Sequence, residues 1–326
     1  MTKYEFYVLR KLIAMLLLLF IIIVIVDNLI GYSIIRYVQF KRLDTYSGLE
    51  YAKYKQADVL ILGASQAEVG YNSDFISKRT GLETVNLAIS SSNCIYSYMI
   101  VKDYLLTHKL KYIIYDASYA DLQDYDPYIV VASRLDYLYK KDKSIDSILA
   151  EMIPYANVSL FFKMHRYHRL VLDIFRNKSV QATTDHFRVF APDNGKLVSM
   201  LMAKRIKQFG PNWIQQPPNI KPLNMNSLSY RTLQKLINLC RENHIQLVII
   251  HSPSYYFSGS IKYDQLVLPT YFKKFKNSQY VSFVNISTVD YPYLSDIRLF
   301  RDFNHVNRLG SDSLSSILAR EIIKRN

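Results

Sequence analysis

The sequence predicts an α/β protein, a flavodoxin-like three-layer sandwich with a parallel sheet, preceded by one N-terminal transmembrane helix. Three observations carry this. Short, β-rich apolar segments alternate with helical patterns from about residue 58 to the end of the chain. The last helical segment places Leu314, Ile317, Leu318 and Ile322 on one side, the stripe of a helix packed on a sheet. Near the start, Leu12 through Val26 is an unbroken apolar run.

That run is preceded by Lys3, Arg10 and Lys11 and continued past Asp27 and Asn28 by Leu29, Ile30, Gly31, Tyr32, Ser33, Ile34 and Ile35. At about 1.5 Å per residue, its 15 residues fall short of a hydrocarbon core about 30 Å thick. Adding Tyr7, Val8 and Leu9, with Arg10 and Lys11 snorkelling, brings the segment to spanning length. No small-residue cleavage site follows, so a retained signal anchor is expected rather than a removed signal peptide. Arg36, Lys41 and Arg42 dilute the positive-inside signal, but the nearest flank is basic before the run and acidic after it. Residues 1–45 are thus read as a cytoplasmic N-terminus, membrane anchor and linker, with an extracytoplasmic domain over residues 46–326.

Within that domain the expected strands are 58–62, 84–89, 111–115, 246–251 and 281–286, and the expected helices lie near 95–108, 227–244 and 310–324. Between them the pattern breaks at about 119–226 into tyrosine-rich and basic stretches. This is too long for a crossover and reads as an insertion of the kind that forms substrate walls or lids. Trp213, the only tryptophan, suits packing or stacking on a sugar ring. His165 and His168 lie among Lys163, Arg166 and Arg169. They read as a solvated or membrane-facing basic helix, because no carboxylate or cysteine stands at ligand spacing. No metal or cofactor is expected. His251, at a strand end, suits either a structural place or the lining of a pocket.

Composition narrows the classes further. With 326 residues, 50% of them hydrophobic, the chain is long enough for one large domain with insertions. A net charge of +14 raises the question of nucleic acid, yet the basic residues are dispersed and no binding motif accompanies them. Nucleic acid is not an expected partner; a surface facing an anionic bilayer or an acidic glycan accounts for the charge. Two cysteines make no disulfide scaffold. Cys240 falls on the apolar stripe Tyr230, Leu233, Leu236 and Ile237, the place of a core thiol. Cys94 opens a helix without a histidine partner nearby in sequence.

The chemistry-bearing residues gather at the expected carboxyl ends of strands. Gly63-Ala64-Ser65 follows the apolar run Val59–Leu62, and Asp302-Phe303-Asn304-His305 precedes the final helix. A serine hydroxyl is a poor nucleophile at neutral pH unless an imidazole takes its proton and a carboxylate holds the imidazole in one tautomer. Asp302 and His305, three residues apart in a loop entering a helix, can converge and leave one ring nitrogen for Ser65. Each residue also has a plainer reading: Gly-x-Ser as a tight turn, Asp302 as a helix cap, His305 as a half-buried histidine.

Taken together, Gly63-Ala64-Ser65, the stretch Val85-Asn86-Leu87-Ala88-Ile89-Ser90-Ser91-Ser92-Asn93 and Asp302 through Gly310 resemble blocks one, two and five of the SGNH (GDSL-like) hydrolases, over most of residues 57–326. The resemblance is greatest to their membrane-anchored branch, the DltD-like and polysaccharide O-acetylation proteins. It implies Ser65, Asp302 and His305 as a catalytic triad. It also implies an oxyanion or substrate-binding set drawn from Ser91 and Asn86 in the second block. Three departures stand out. Ala64 replaces a common aspartate, serines replace the second-block glycine, and Asp116-Ala117-Ser118 offers no third-block asparagine, which is compatible with a slow enzyme or with Ser118 or Gln66 filling in. Losing one oxyanion donor typically costs roughly 100 to 1000-fold in turnover. The resulting expectation is a membrane-anchored serine esterase or O-acyltransferase acting on an acylated cell-envelope polysaccharide or similar ester, with a membrane-bound acyltransferase as a further partner. The alternatives are a catalytically inactive SGNH scaffold that binds glycan or such a partner, and a basic domain tethered on the cytoplasmic side.

Overall fold

The computed structural model describes residues 2–41, 44–117, 135, 138–153, 161–164, 191–209, 224–253, 255, 279–286 and 290–325. The chain divides into two compact units: residues 1–47 with 132–182, and residues 48–131 with 183–326.

The larger unit is built on a parallel five-stranded sheet: β1 (Val59–Gly63), β2 (Thr84–Asn86), β3 (Tyr112–Asp116), β4 (Gln246–His251) and β5 (Val281–Asn285), in the order β2-β1-β3-β4-β5. Every neighbouring pair is parallel, with Val59 opposite both Thr84 and Tyr112, Tyr112 opposite Gln246, and Leu247 opposite Val281. This order is compatible with the flavodoxin-like arrangement, in which the chain first steps outward from β1 to β2 and then returns to β3 on the other side. β1 and β3 are buried along their whole length. Strands covered on both faces read as continuous apolar runs, and that is why both were legible in the sequence.

The pleat sends alternate side chains to opposite faces. One face holds Val59, Ile61, Tyr112, Ile114, Val248 and Ile250, packed with residues of α3 (Ser65–Gly70), α4 (Ser73–Thr80) and α9 (Arg308–Ile323). The other set, including Leu60, Leu62, Ile113 and Ile249, is equally buried. On that side α5 (Cys94–Leu105) and α8 (Leu228–Glu242) pack on each other and against β1 and β4. Each fully buried leucine or isoleucine contributes about 1.5–3 kcal/mol relative to exposure, so these two layers supply most of the unit's driving force. α2 (Asp44–Lys55) is tied down by Lys53, whose ammonium lies 2.7 Å from the buried Asp103 of α5.

All five strands fall where the sequence places them, with β2 shorter than expected. Beyond it the Asn86 side chain accepts the Ala88 N–H at 3.0 Å, while the Leu87 and Ile89 N–H groups still donate to the Ile61 and Gly63 carbonyls of β1 at 2.8 and 3.1 Å. Helices α3 and α4 were not anticipated, although Asn72 caps α4 by accepting the Phe75 N–H and Gly81 ends it at φ +72°. The segment read as an insertion contains α6 (Lys143–Met152) and α7 (Lys196–Phe209). Val198 of α7 lies in the core beneath the sheet face that carries α9.

In the smaller unit, α1 runs from Lys3 to Lys41. It is long and apolar enough to cross a membrane, and it is the one helix among the described residues of which this holds. Its apolar side chains from Tyr4 to Ile30 are exposed almost throughout, unlike those of a core helix. α6 buries Ile145, Ile148, Leu149 and Met152 along one side.

Gly63 closes β1 at φ +141°, and a Cβ there would meet the Asp116 carbonyl oxygen at 2.9 Å and the Ala67 Cβ at 3.0 Å. Only glycine meets both demands without strain. Gly63→Ala is therefore expected to lower stability by about 1–3 kcal/mol. Thermal unfolding of the detergent-solubilised chain, followed by circular dichroism, measures this; an unchanged Tm would show the turn to be relaxed.

Candidate active site

Ser65 is the first residue of α3, immediately beyond the turn that ends β1. The cap position, Ala64, provides no side-chain acceptor for the N–H groups of the first turn. Those groups thus remain available at the point where the Ser65 hydroxyl emerges.

The acid and the imidazole are held by a closed loop. Phe300 and Val306 pair in an antiparallel bridge, and the Arg301 N–H donates to the His305 carbonyl at 2.8 Å. Asn307 locks the base of this loop and the start of α9 together. Its side-chain oxygen accepts the Leu309 and Gly310 N–H groups, while its amide donates to the Arg298 and Phe300 carbonyls. Gly310 is required there for closeness, since a Cβ would come within 2.3 Å of the Leu299 oxygen.

Inside the loop, Asp302 Oδ1 accepts the backbone N–H groups of Asn304 and His305 at 2.9 and 3.0 Å. The same carboxylate faces His305 Nδ1 at 2.9 and 3.0 Å, and His305 Nε2 lies 2.8 Å from Ser65 Oγ. A carboxylate only accepts, so this arrangement places the proton on Nδ1 and leaves Nε2 to accept from the serine hydroxyl. Partial burial pushes the Asp302 carboxyl up, but the His305 ring and the N–H groups of Asn304 and His305 outweigh it and hold the carboxyl below its ordinary range. Ser65, His305 and Asp302 thus form a continuous hydrogen-bonded chain across 240 residues of sequence.

The second-block residues divide. Ser91 is exposed and sits at φ +60°, the left-handed region that glycine would occupy at no strain. Its neighbours are pinned: Ser90 donates both its N–H and its hydroxyl to Glu68, and Ser92 Oγ donates to the Gly63 carbonyl at 2.6 Å. Glu68 lies one helical turn after Ser65, so the turn carrying Ser91 is fastened to the helix that begins at Ser65.

Asn86 departs from the expected substrate-facing role. It is buried, its amide donates to the Ala67 and Tyr71 carbonyls at 2.9 and 3.0 Å, and its oxygen accepts from Ala88. With both donors used internally, Asn86 braces α3 against the end of β2. Gln66 is half-buried beside Ser65. Ser118, His165, His168 and Trp213 lie outside the described residues.

A buried polar group beneath the site went unread in the sequence. Asp116, at the end of β3, accepts the Ser252 hydroxyl at 2.5 Å and the Ser252 N–H at 3.0 Å, and the Tyr71 and Ser252 hydroxyls lie 2.6 Å apart. Burial pushes the Asp116 carboxyl above its ordinary value, with the Ser252 bonds and His251 pulling the other way. The available signal was the aspartate ending an otherwise apolar strand. His251 is buried, its Nδ1 2.9 Å from the Ala117 carbonyl, which is a structural placement.

Both cysteines are buried, and burial pushes the Cys240 thiol up to about 12. Cys94 donates its thiol to the Ser229 carbonyl. Among the described residues no group of three or more His, Cys, Asp or Glu side chains could hold a metal ion. A scan against models of known protein families matches none of them, and a search of curated proteins returns no significant match.

Because the Asp302 pKa is lowered by folding, its contribution to stability is present above its unfolded value of about 3.9 and is lost as pH falls through the lower folded value. Unfolding titrations of wild type and Asp302→Asn should therefore differ most above about pH 4 and converge below it. A gap that widens on acidification would contradict the assigned sign.

Proposed function

We propose that the chain is a membrane-anchored SGNH-like serine esterase or O-acyltransferase that acts on an acylated cell-envelope polysaccharide or a similar ester. The hydrogen-bonded chain Asp302–His305–Ser65 is the observation that carries this reading.

In the proposed reaction His305 Nε2 takes the proton of Ser65 as Oγ adds to the ester carbonyl, and Asp302 orients and stabilises the imidazolium that forms. Collapse of the tetrahedral adduct breaks the bond to the alcohol, which leaves with the proton returned by His305. The acyl group then rests on Ser65. Water, or a sugar hydroxyl, gives its proton to His305 and takes the acyl group in the second half. Hydrolysis and transfer differ only in that acceptor.

Developing negative charge would be met by the backbone N–H groups of Ser65 and Ser91. Ser91's left-handed conformation, held by the Glu68–Ser90 clamp, supports this role. A third, side-chain donor is the usual complement in the resembled family. At the corresponding strand end this chain has Asp116, which accepts from Ser252. Either two backbone donors act alone in a slow enzyme, or Gln66 or Ser118 supplies the third.

The envelope setting rests on α1: the basic residues ahead of its apolar run favour a cytoplasmic N-terminus and a site outside. The +14 charge suits a site close to anionic lipid or glycan.

Turnover of p-nitrophenyl acetate by the full chain in detergent, beside Ser65→Ala and His305→Ala, tests the assignment. The two variants should fall together by about 1000-fold or more, because the residues act as one unit. Equal turnover by all three proteins would instead favour an inactive scaffold that binds glycan or an acyltransferase partner.

A further inference from the structure

Along α1 the described side chains are exposed except for one seam. Val24 is half-buried, and Asp27, Gly31 and Ile34 are buried. The spacing of three, four and three residues puts them on one side of the helix. Asp27, a carboxylate in the middle of an apolar helix, is 6% exposed.

What covers it is a distant piece of the same unit. Asp27 Oδ2 accepts the Lys163 N–H at 2.6 Å, and Oδ1 accepts the Met164 N–H at 2.8 Å. One turn further along α1, a Cβ on Gly31 would lie 2.4 Å from the Lys163 Cβ and 3.0 Å from its Cδ. Glycine at 31 lets the turn seat itself, with the Lys163 stem lying along the helix. Phe161 and Met164 remain 43% and 41% exposed. Val26, Leu29 and Ile30, on the turns of α1 around Asp27, are exposed as well. Lys140 places its ammonium 5.7 Å from the Phe161 ring and 5.5 Å from that of Tyr139.

Depth gives these contacts their meaning. Because α1 continues as helix through the apolar residues 29–35, spanning length is reached without Tyr7–Leu9. Arg10 and Lys11 then hold one end of the apolar run at a membrane boundary, since burying both charges is costly. From Leu12 to Asp27 is 15 residues, roughly 22 Å of helix, which places Asp27 inside a hydrocarbon core about 30 Å thick. The backbone that donates to Asp27 must lie at the same depth. Backbone N–H groups in hydrocarbon need acceptors within the protein, and a carboxylate there needs donors. Each supplies the other.

We infer that the turn Phe161–Met164 is a membrane-inserted element, seated on Asp27 and Gly31, whose Phe161 and Met164 side chains pack among the acyl chains of the outer leaflet while Lys140 stays at headgroup level. The chain then holds the bilayer at two places. This rests on the reading of α1 as a membrane-spanning helix.

The test uses the full chain in vesicles of phosphatidylcholine and phosphatidylglycerol, with an environment-sensitive NBD label on Phe161→Cys, Leu18→Cys or Leu106→Cys. The unsubstituted chain corrects for any label on Cys94 and Cys240. Nitroxide on the lipid acyl chains should quench the probes at 18 and 161 and spare 106; aqueous iodide should do the reverse. Asp27→Leu, and separately Gly31→Leu, should make the 161 probe iodide-accessible while leaving 18 and 106 unchanged. A probe at 161 quenched by iodide in the unsubstituted background, with 18 quenched by lipid, would overturn the inference and leave the spanning helix standing. Protection of 161 from both quenchers would mean a protein covers it, which also overturns it. So would an unchanged 161 signal in both seam variants. Iodide quenching at 18 would remove the spanning helix and the inference together.

Discussion

The pairing of β1 with β3 is the constraint on which the rest of the site depends. These are the two central strands across which the chain changes direction, and both are buried from end to end. Their carboxyl ends open the crevice in which ligands of such sheets bind. Gly63 sits opposite Asp116 so closely that no side chain fits between them. Because the turn at Gly63 is set by that contact, the position of Ser65 at the head of α3 is set by the sheet rather than by a loop. Ser65 inherits the rigidity of the core.

The remaining parts are fastened to that point from three directions. Asn307 joins the 300–306 loop to the start of α9, whose apolar side packs into the same core as β1. Glu68 ties the Ser91 turn to α3. Below, Asp116, Ser252 and Tyr71 form a buried polar group between the ends of β3 and β4 and the chain leaving α3. A buried carboxyl without partners would be severely penalised, so two donors from Ser252 and the nearby Tyr71 hydroxyl explain why it persists. This group puts a carboxylate acceptor, already engaged by Ser252, at the end of β3.

Much of this was legible in the sequence for physical reasons that can be stated. The central strands are continuous apolar runs because both faces are covered. The triad residues stand out because a serine behind such a strand and an acid and imidazole three residues apart before a helix are an unusual conjunction. Ser91 was read as standing in the place of a glycine, and it adopts the left-handed conformation that glycine takes without strain, at φ +60°. Asn86 was misjudged because an asparagine at a strand end can brace the backbone as readily as face a ligand. Only its three hydrogen bonds decide between the two. The pairing of Asp116 with Ser252 escaped notice because the two are brought together across 136 residues, with no local pattern to mark the pair. Asp27 is a similar case: its partners lie 136 and 137 positions away, and it read only as an acidic flank to an apolar run.

The most direct measurement on the central claim is the site of covalent capture by a fluorophosphonate probe, mapped by peptide mass spectrometry on the full chain. The account predicts a single adduct on Ser65, absent from the His305→Ala protein because the hydroxyl there has lost its base. An adduct on another serine, or labelling of Ser65 that is indifferent to His305, would contradict it.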